Sequence, residues 1–173
     1  QDIIGDPQVD VELISPYFVP TQSGVEAFAW LVRKGVEVKV LTNSLSATDV
    51  AAVHAGYAKH RQALLESGVI LYEMQRNPSQ VKRLKRKKRF LGSSGSSLHA
   101  KTFSVDRQHV FVGSFNFDPR SANLNTELGF VIDSPRLAQR INHAFYDEIP
   151  AHAYRVKTMP NGRVYWTEQQ EGG

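Results

Sequence analysis

An α/β fold, a mixed β-sheet flanked by helices, is what this sequence predicts. Short runs of alternating apolar and polar residues trade places with stretches of helical spacing from Val9 to Tyr72. A cluster of short strands and one last helix follow, and turn or capping residues stand at the joins.

Val9, Val11 and Leu13 alternate with Asp10, Glu12 and Ile14 as a strand would, until Pro16 and Pro20 break the pattern. From Ser23, the residues Val25, Phe28, Ala29, Leu31 and Val32 recur at helical spacing as far as Gly35, a residue suited to close a helix. Val36 to Val40 alternates again and gives a second strand. Thr48 or Asp49 stands where a cap is needed for a helix over 49–67, with Gly68 closing it. Val69 to Tyr72 reads as a third strand, ended by Asn77-Pro78. The stretch Gly92-Ser93-Ser94-Gly95-Ser96-Ser97 reads as a flexible loop. Strands over about 98–105 and 110–114 are joined by a turn at Asp106-Arg107-Gln108, and a further strand covers about 127–132. Ser134 caps a last helix with Pro135 at its favoured first position, running to about Tyr146. From Pro150 no period emerges. Residues 1–149 are therefore read as the domain and 150–173 as a C-terminal tail.

At 173 residues, 41% hydrophobic and 22% charged, the chain suits one buried domain and excludes general disorder. No apolar run approaches the roughly 18 residues of a membrane-spanning helix. The absence of Cys excludes disulfides and thiolate metal sites, and no zinc-type spacing or Gly-rich nucleotide loop is present, so no metal or cofactor is expected. The first residues, Gln1-Asp2, lack an initiator Met and read as the start of a processed or excised piece. Net charge is +4, and residues 82–89 hold seven of the 21 basic side chains. Such a block is either a solvated loop or an attractor of phosphate-rich partners, anionic lipid or nucleic acid, and charge alone does not choose.

Chemistry concentrates in residues 99–116. His99 and Lys101 are two apart on a predicted strand and so share a face, as do Ser114 and Asn116 at the end of the next. Antiparallel pairing of those strands would gather an imidazole, an ammonium, a hydroxyl and an amide. That set suits an anionic tetrahedral phosphorus: Lys101 supplies a point charge, and Ser114 and Asn116 donate to non-bridging oxygens. Imidazole attack on phosphorus would give a phosphohistidine, dividing one hard displacement into two easier ones. A carboxylate on the far ring nitrogen would hold the attacking tautomer, and Glu127 on the adjacent predicted strand is the candidate. Phe115 and Phe117, in the alternate phase, are expected to pack into the core. Asp106 falls at a turn, where Asp is favoured for backbone reasons, and is read chiefly as structural support.

The pattern His-x-Lys-x4-Asp-x6-Gly-Ser-x-Asn, formed by His99, Lys101, Asp106, Gly113, Ser114 and Asn116, resembles the signature of the phospholipase D superfamily at every fixed position. Six fixed positions would recur by chance about once in a hundred million starts. The likeness extends through Ser15-Pro16-Tyr17-Phe18-Val19-Pro20, Leu41-Thr42-Asn43-Ser44 and Asn125-Thr126-Glu127, and is greatest to the C-terminal half of bacterial cardiolipin synthase-like proteins.

The resemblance implies a catalytic set of His99 as nucleophile, Lys101, Asp106 in a supporting hydrogen-bonding role, and Glu127 orienting the imidazole. Lys101, Ser114 and Asn116 would bind the phosphate. It further implies phospholipid as substrate, an anionic membrane surface as partner, and a peripheral place on the cytoplasmic side of a membrane. Active members unite two such motifs in one chain or across a dimer, and the second His serves as general acid. One copy is present here. The other histidines, His54, His60, His109, His143 and His152, stand in no comparable context. His54 and Tyr57, one turn apart on the predicted helix, either line a substrate or pack. Two alternatives stay open: a nuclease of the same superfamily, whose basic block tracks nucleic acid, and a half-domain that is inactive without a second motif.

Overall fold

The structure, a computed structural model, describes residues 5–48, 50–75, 101–114, 117 and 128–169. Among these, one mixed sheet is built from β1 (Asp10–Ile14), β2 (Glu37–Asn43), β3 (Ile70–Met74), β4 (Thr102–Val105), β5 (His109–Gly113), β6 (Gly129–Asp133), β7 (Ala153–Thr158) and β8 (Val164–Thr167). Its helices are α1 (Gln22–Arg33), α2 (Ala51–Glu66), α3 (Pro135–Tyr146) and the short α4 (Ile149–His152). The order across the sheet is β6-β5-β4-β1-β2-β3-β7-β8. β1, β2 and β3 run parallel, and the other neighbours pair antiparallel. The fold is thus the mixed sheet with flanking helices that the hydropathy pattern predicts.

Capping chemistry sets most helix ends. Thr21 caps α1 by accepting the Gly24 N–H at 3.2 Å, and the buried stripe is Val25, Phe28 and Leu31. The helix closes through Gly35, whose φ of 92° lets its N–H reach Val32 and the Val36 N–H reach Leu31. α2 closes the same way through Gly68. Its start differs from expectation. The cap position is Val50, without a side-chain cap bond, while the Thr48 hydroxyl accepts the Val50 N–H at 3.2 Å and shapes the preceding turn. Asp49 lies outside the described residues. Ser134 caps α3 through the Leu137 N–H at 3.3 Å, with Pro135 in the first turn, as the sequence predicts.

Both faces of the sheet are covered. One core joins Val11, Leu13, Val38, Val40, Phe28, Leu64 and Val156; the other joins Leu41, Phe145, Ile149 and Ala153. The alternation in β1 therefore does not separate a dry face from a wet one, and Asp10 and Glu12 are fully buried. Residues from Pro150, which carry no period, complete α4 and supply β7 and β8, with β7 antiparallel to β3 through pairs such as Leu71 with Val156. Among the described residues no helix is long and apolar enough to cross a membrane.

Candidate functional site

The carboxyl ends of β1, β2 and β3 share one edge of the sheet, the edge where open α/β sheets bind ligands. Because β4 is antiparallel to β1, it begins at that edge, and because β5 is antiparallel to β4, it ends there. Two motif residues meet in consequence. Lys101 precedes β4 by one residue, half-buried, and its carbonyl accepts the Gly113 N–H at 3.2 Å; Ser114 follows β5 directly. Gly113 has a packing reason to be glycine. A Cβ there would stand 2.7 Å from the Leu128 carbonyl oxygen and 2.8 Å from Gly129 Cα. The Ser114 hydroxyl accepts the Leu128 N–H at 3.1 Å and donates to the Leu128 carbonyl oxygen at 3.3 Å. Leu128 is the next residue in the chain after Glu127.

The loops leaving β1 and β5 are fastened together over this edge. Val19 donates to the Phe117 carbonyl at 2.7 Å, and the Ser15 hydroxyl donates to the Tyr17 carbonyl at 3.0 Å. Phe117 packs against Phe18 and Phe28 at 5.4 Å between ring centres, the core position that strand alternation predicts.

Asp106 is placed elsewhere. It lies at the far end of β4 from Lys101, about 16 Å away at 3.3 Å per strand residue. Asp106 and Arg107 take φ values of 52° and 56° in the β4–β5 turn, a conformation Asp tolerates. The Asp106 carboxylate accepts the backbone N–H groups of Gln8 at 3.0 Å, Val9 at 2.7 Å and Asp10 at 3.2 Å. Arg107 donates to Asp10 at 2.6 Å. The turn thereby anchors the start of the central strand. His99, Asn116 and Glu127 lie outside the described residues, as do Asn77-Pro78, the basic block 82–89, the Gly/Ser stretch 92–97 and Phe115.

Two buried polar networks escape the sequence reading. Under α3, Glu12 accepts from Lys39 at 3.3 Å, Ser104 at 2.9 Å and Asn142 at 2.7 Å. Burial pushes the Glu12 carboxyl above its ordinary range, against the lowering effect of Ser104, Asn142 and Lys39. Burial opposes the charge on Lys39, yet Glu37, Tyr146 and Glu12 together hold its ammonium above the usual range. Under α2, Glu73 accepts from Tyr57 at 3.1 Å and from the Trp166 indole at 3.0 Å, with Arg61 Nε 3.4 Å away. Burial, then the Glu73 charge, drives the Tyr57 hydroxyl well above its usual range, so it remains a donor. The signal for these networks was Asn142 and Tyr146 spaced four apart on α3, and Tyr57 and Arg61 spaced four apart on α2. Among the described residues, no group of three or more His, Cys, Asp or Glu side chains converges as a metal site.

The family model described as cardiolipin synthase, PLD-like domain, matches residues 2–149. Cardiolipin synthase C of Escherichia coli is 50% identical over 168 residues, covering 97% of this chain and 35% of that protein. The chain thus spans about a third of the length of that relative. Among solved structures, Nuc, a phospholipase D family member from Salmonella typhimurium, superposes with a TM-score of 0.63 at 20% identity, covering 90% of this chain and 86% of the other. Phosphatidylserine synthase from Haemophilus influenzae gives a TM-score of 0.60 at 16% identity, covering 89% of this chain and 35% of the other. The mixed sheet with its flanking helices is that of the phospholipase D fold, and the chain belongs to the cardiolipin synthase, PLD-like domain family.

Proposed function

We propose that this chain forms one half of a phospholipase D-type phosphatidyltransferase site that makes cardiolipin from phospholipid substrates. The observation that carries the proposal is the 50% identity to cardiolipin synthase C over 97% of the chain. The meeting of Lys101 and Ser114 at one sheet edge supports it. In this reading an imidazole nitrogen of His99 attacks the phosphorus of a donor lipid. A P–N bond forms, the P–O bond to the leaving alcohol breaks, and a general acid from a second phospholipase D-like half protonates the departing oxygen. The hydroxyl of an acceptor lipid then attacks phosphorus, the P–N bond breaks, and the acceptor's proton passes to the same group. Lys101, with Ser114 and Asn116, stabilises the charge on the non-bridging oxygens, and Glu127 holds the far nitrogen of His99. The second half belongs to the same chain or to a dimer partner. The protein works peripherally at an anionic membrane surface on the cytoplasmic side, where the basic block 82–89 adds attraction.

The test is His99→Asn in the full-length protein. Phosphatidyl transfer should fall by at least about a thousandfold, the loss expected when covalent catalysis is removed from a site that keeps its binding groups. The melting temperature should not change, and an acid-labile, base-stable phosphoryl label should disappear from histidine. Near-normal turnover at unchanged stability would remove His99 from the nucleophile's role.

A further inference from the structure

The segment Ser15-Pro16-Tyr17-Phe18-Val19-Pro20 carries part of the family likeness, and the chemistry proposed above gives it no task. We propose that Ser15 is a positioning residue: its hydroxyl holds Phe117, and through Phe117 it sets Asn116 against the phosphate. The inference rests on the reading of Asn116 as a phosphate-binding group and goes beyond it by naming what holds that group.

Ser15 leaves β1 at the carboxyl edge of the sheet. Its N–H donates to the Leu41 carbonyl at 3.0 Å, so its backbone is still tied to β2. At 2% exposure it is too buried to touch a substrate itself. A hydroxyl has one hydrogen to give and two lone pairs with which to accept. Ser15 gives its hydrogen to the Tyr17 carbonyl at 3.0 Å and receives the Phe117 N–H at 3.5 Å, across 102 positions of chain. That second bond is long, and neighbouring contacts support it. The Phe117 carbonyl accepts the Val19 N–H at 2.7 Å, and Phe18 pairs with Phe117 as a parallel bridge. The Phe117 ring packs on the fully buried Phe18 ring at 5.4 Å between centres. Pro16 and Pro20, both buried, fix φ on either side of this contact.

The chain is thereby fastened at Ser114 and again at Phe117. At Ser114 the backbone N–H donates to the Leu128 carbonyl at 2.8 Å, and the hydroxyl accepts the Leu128 N–H at 3.1 Å. At Phe117 the β1 loop holds N–H, carbonyl and ring. Asn116 is joined to Phe117 by one peptide bond. A peptide group is planar, so a bond that directs the N–H of one residue also directs the Cα of the residue before it. Of the two backbone bonds at Phe117, the one to Ser15 is made by that N–H. An amide donor has to meet a phosphate oxygen within about half an ångström, and a misplacement of about 1 Å costs about a hundredfold in rate.

The experiment is a double-mutant cycle in the full-length protein, following release of the donor lipid's leaving alcohol, a step that transfer and hydrolysis share. Ser15→Ala should lower kcat about thirtyfold, short of the loss for a full ångström, with KM for the donor lipid within about twofold of wild type. In an Asn116→Ala background the same change should cost less than about threefold, because the group it positions is gone. In a Lys101→Gln background the full loss should remain. Near-normal release in Ser15→Ala would overturn the inference. So would an equal loss in the Asn116→Ala background, the sign of general damage or a smaller active fraction. Should Ser15→Ala not fold, judged by its melting transition, Ser15→Cys carries the same cycle, since its thiol keeps the shape with a weak donor. Normal release in Asn116→Ala alone would refute the phosphate-binding reading and take the inference with it. Release without any phosphatidyl-alcohol product would instead refute transfer, while the cycle still decides on Ser15.

Discussion

Replacing Asp106 should damage the domain by loosening its central strand, and the damage should scale with backbone chemistry. Its carboxylate holds three N–H groups. Those of Gln8 and Val9 are exposed, so water replaces the carboxylate there at about 0.5 kcal/mol each; the Asp10 N–H is partly buried and its loss costs about 1–2 kcal/mol. Alanine at a φ of 52° adds about 1 kcal/mol of strain. Asp106→Ala should therefore lose about 3 kcal/mol, a large part of the 5–15 kcal/mol typical of a domain. Asp106→Gly, free of the strain, should lose about 2 kcal/mol, and Asp106→Asn, which keeps an acceptor oxygen and tolerates the turn, about 1 kcal/mol. Urea unfolding of the three variants gives the order directly. Phosphatidyl transfer by the full-length protein, measured well below each midpoint, should stay within a few-fold of wild type for Asp106→Asn. An Asn variant as stable as wild type yet inactive would refute the reasoning and put Asp106 in the chemistry.

Two further outcomes follow from the packing. Gly129→Ala would set a Cβ 2.2 Å from the Phe111 ring, itself stacked on Phe103 at 4.9 Å. The change should cost about 1–3 kcal/mol. Phe111→Leu should relieve part of that cost, and strictly additive denaturation energies in the double variant would contradict the contact. Burial raises the Glu12 carboxyl above its ordinary value of 4.5, so the folded state binds that proton more tightly than the unfolded chain. Its contribution is complete below that value and is lost as pH rises through the folded value. Wild type should lose melting temperature relative to Glu12→Gln over this interval, and a gap that moves the other way would reverse the assignment.

Local rules made the elements legible and long-range contacts hid the rest. Gly35, Gly68 and Ser134 act at helix ends through bonds within a few residues, so the sequence alone locates them. The β4–β5 turn is legible for the same reason. Glu12 is different. Its partners Lys39, Ser104 and Asn142 are 27, 92 and 130 residues away, and nothing near it distinguishes a buried carboxylate from an exposed one. β7 and β8 carried no usable period because they pack at the margin of the sheet, with half-buried residues on both faces. Of the candidate site, the pairing of Lys101 with Ser114 was readable from spacing and strand phase. The separation of Asp106 from them was readable only as a turn preference, because the motif gives order along the chain and not distance across it.

The position of β1 at the middle of the sheet also constrains how the chain acquires its structure. One edge of β1 is satisfied by β2, whose partner residues lie 27 positions away, as in Val11 with Val38. The other edge waits for β4, where Val11 meets Val105 across 94 positions. A nascent chain emerging from its N-terminus would therefore hold β1 half-paired while most of the intervening residues are still being made. Closing so long a loop adds only slowly to the entropic barrier, but the open edge persists until it closes. Throughout that interval Val11 and Leu13 sit on a strand with free backbone donors and acceptors, the species on which misassembly begins. The step that ends this exposure is the arrival of the β4–β5 hairpin, which carries Lys101 and Ser114. Assembly of the site and removal of the aggregation hazard are then one kinetic event.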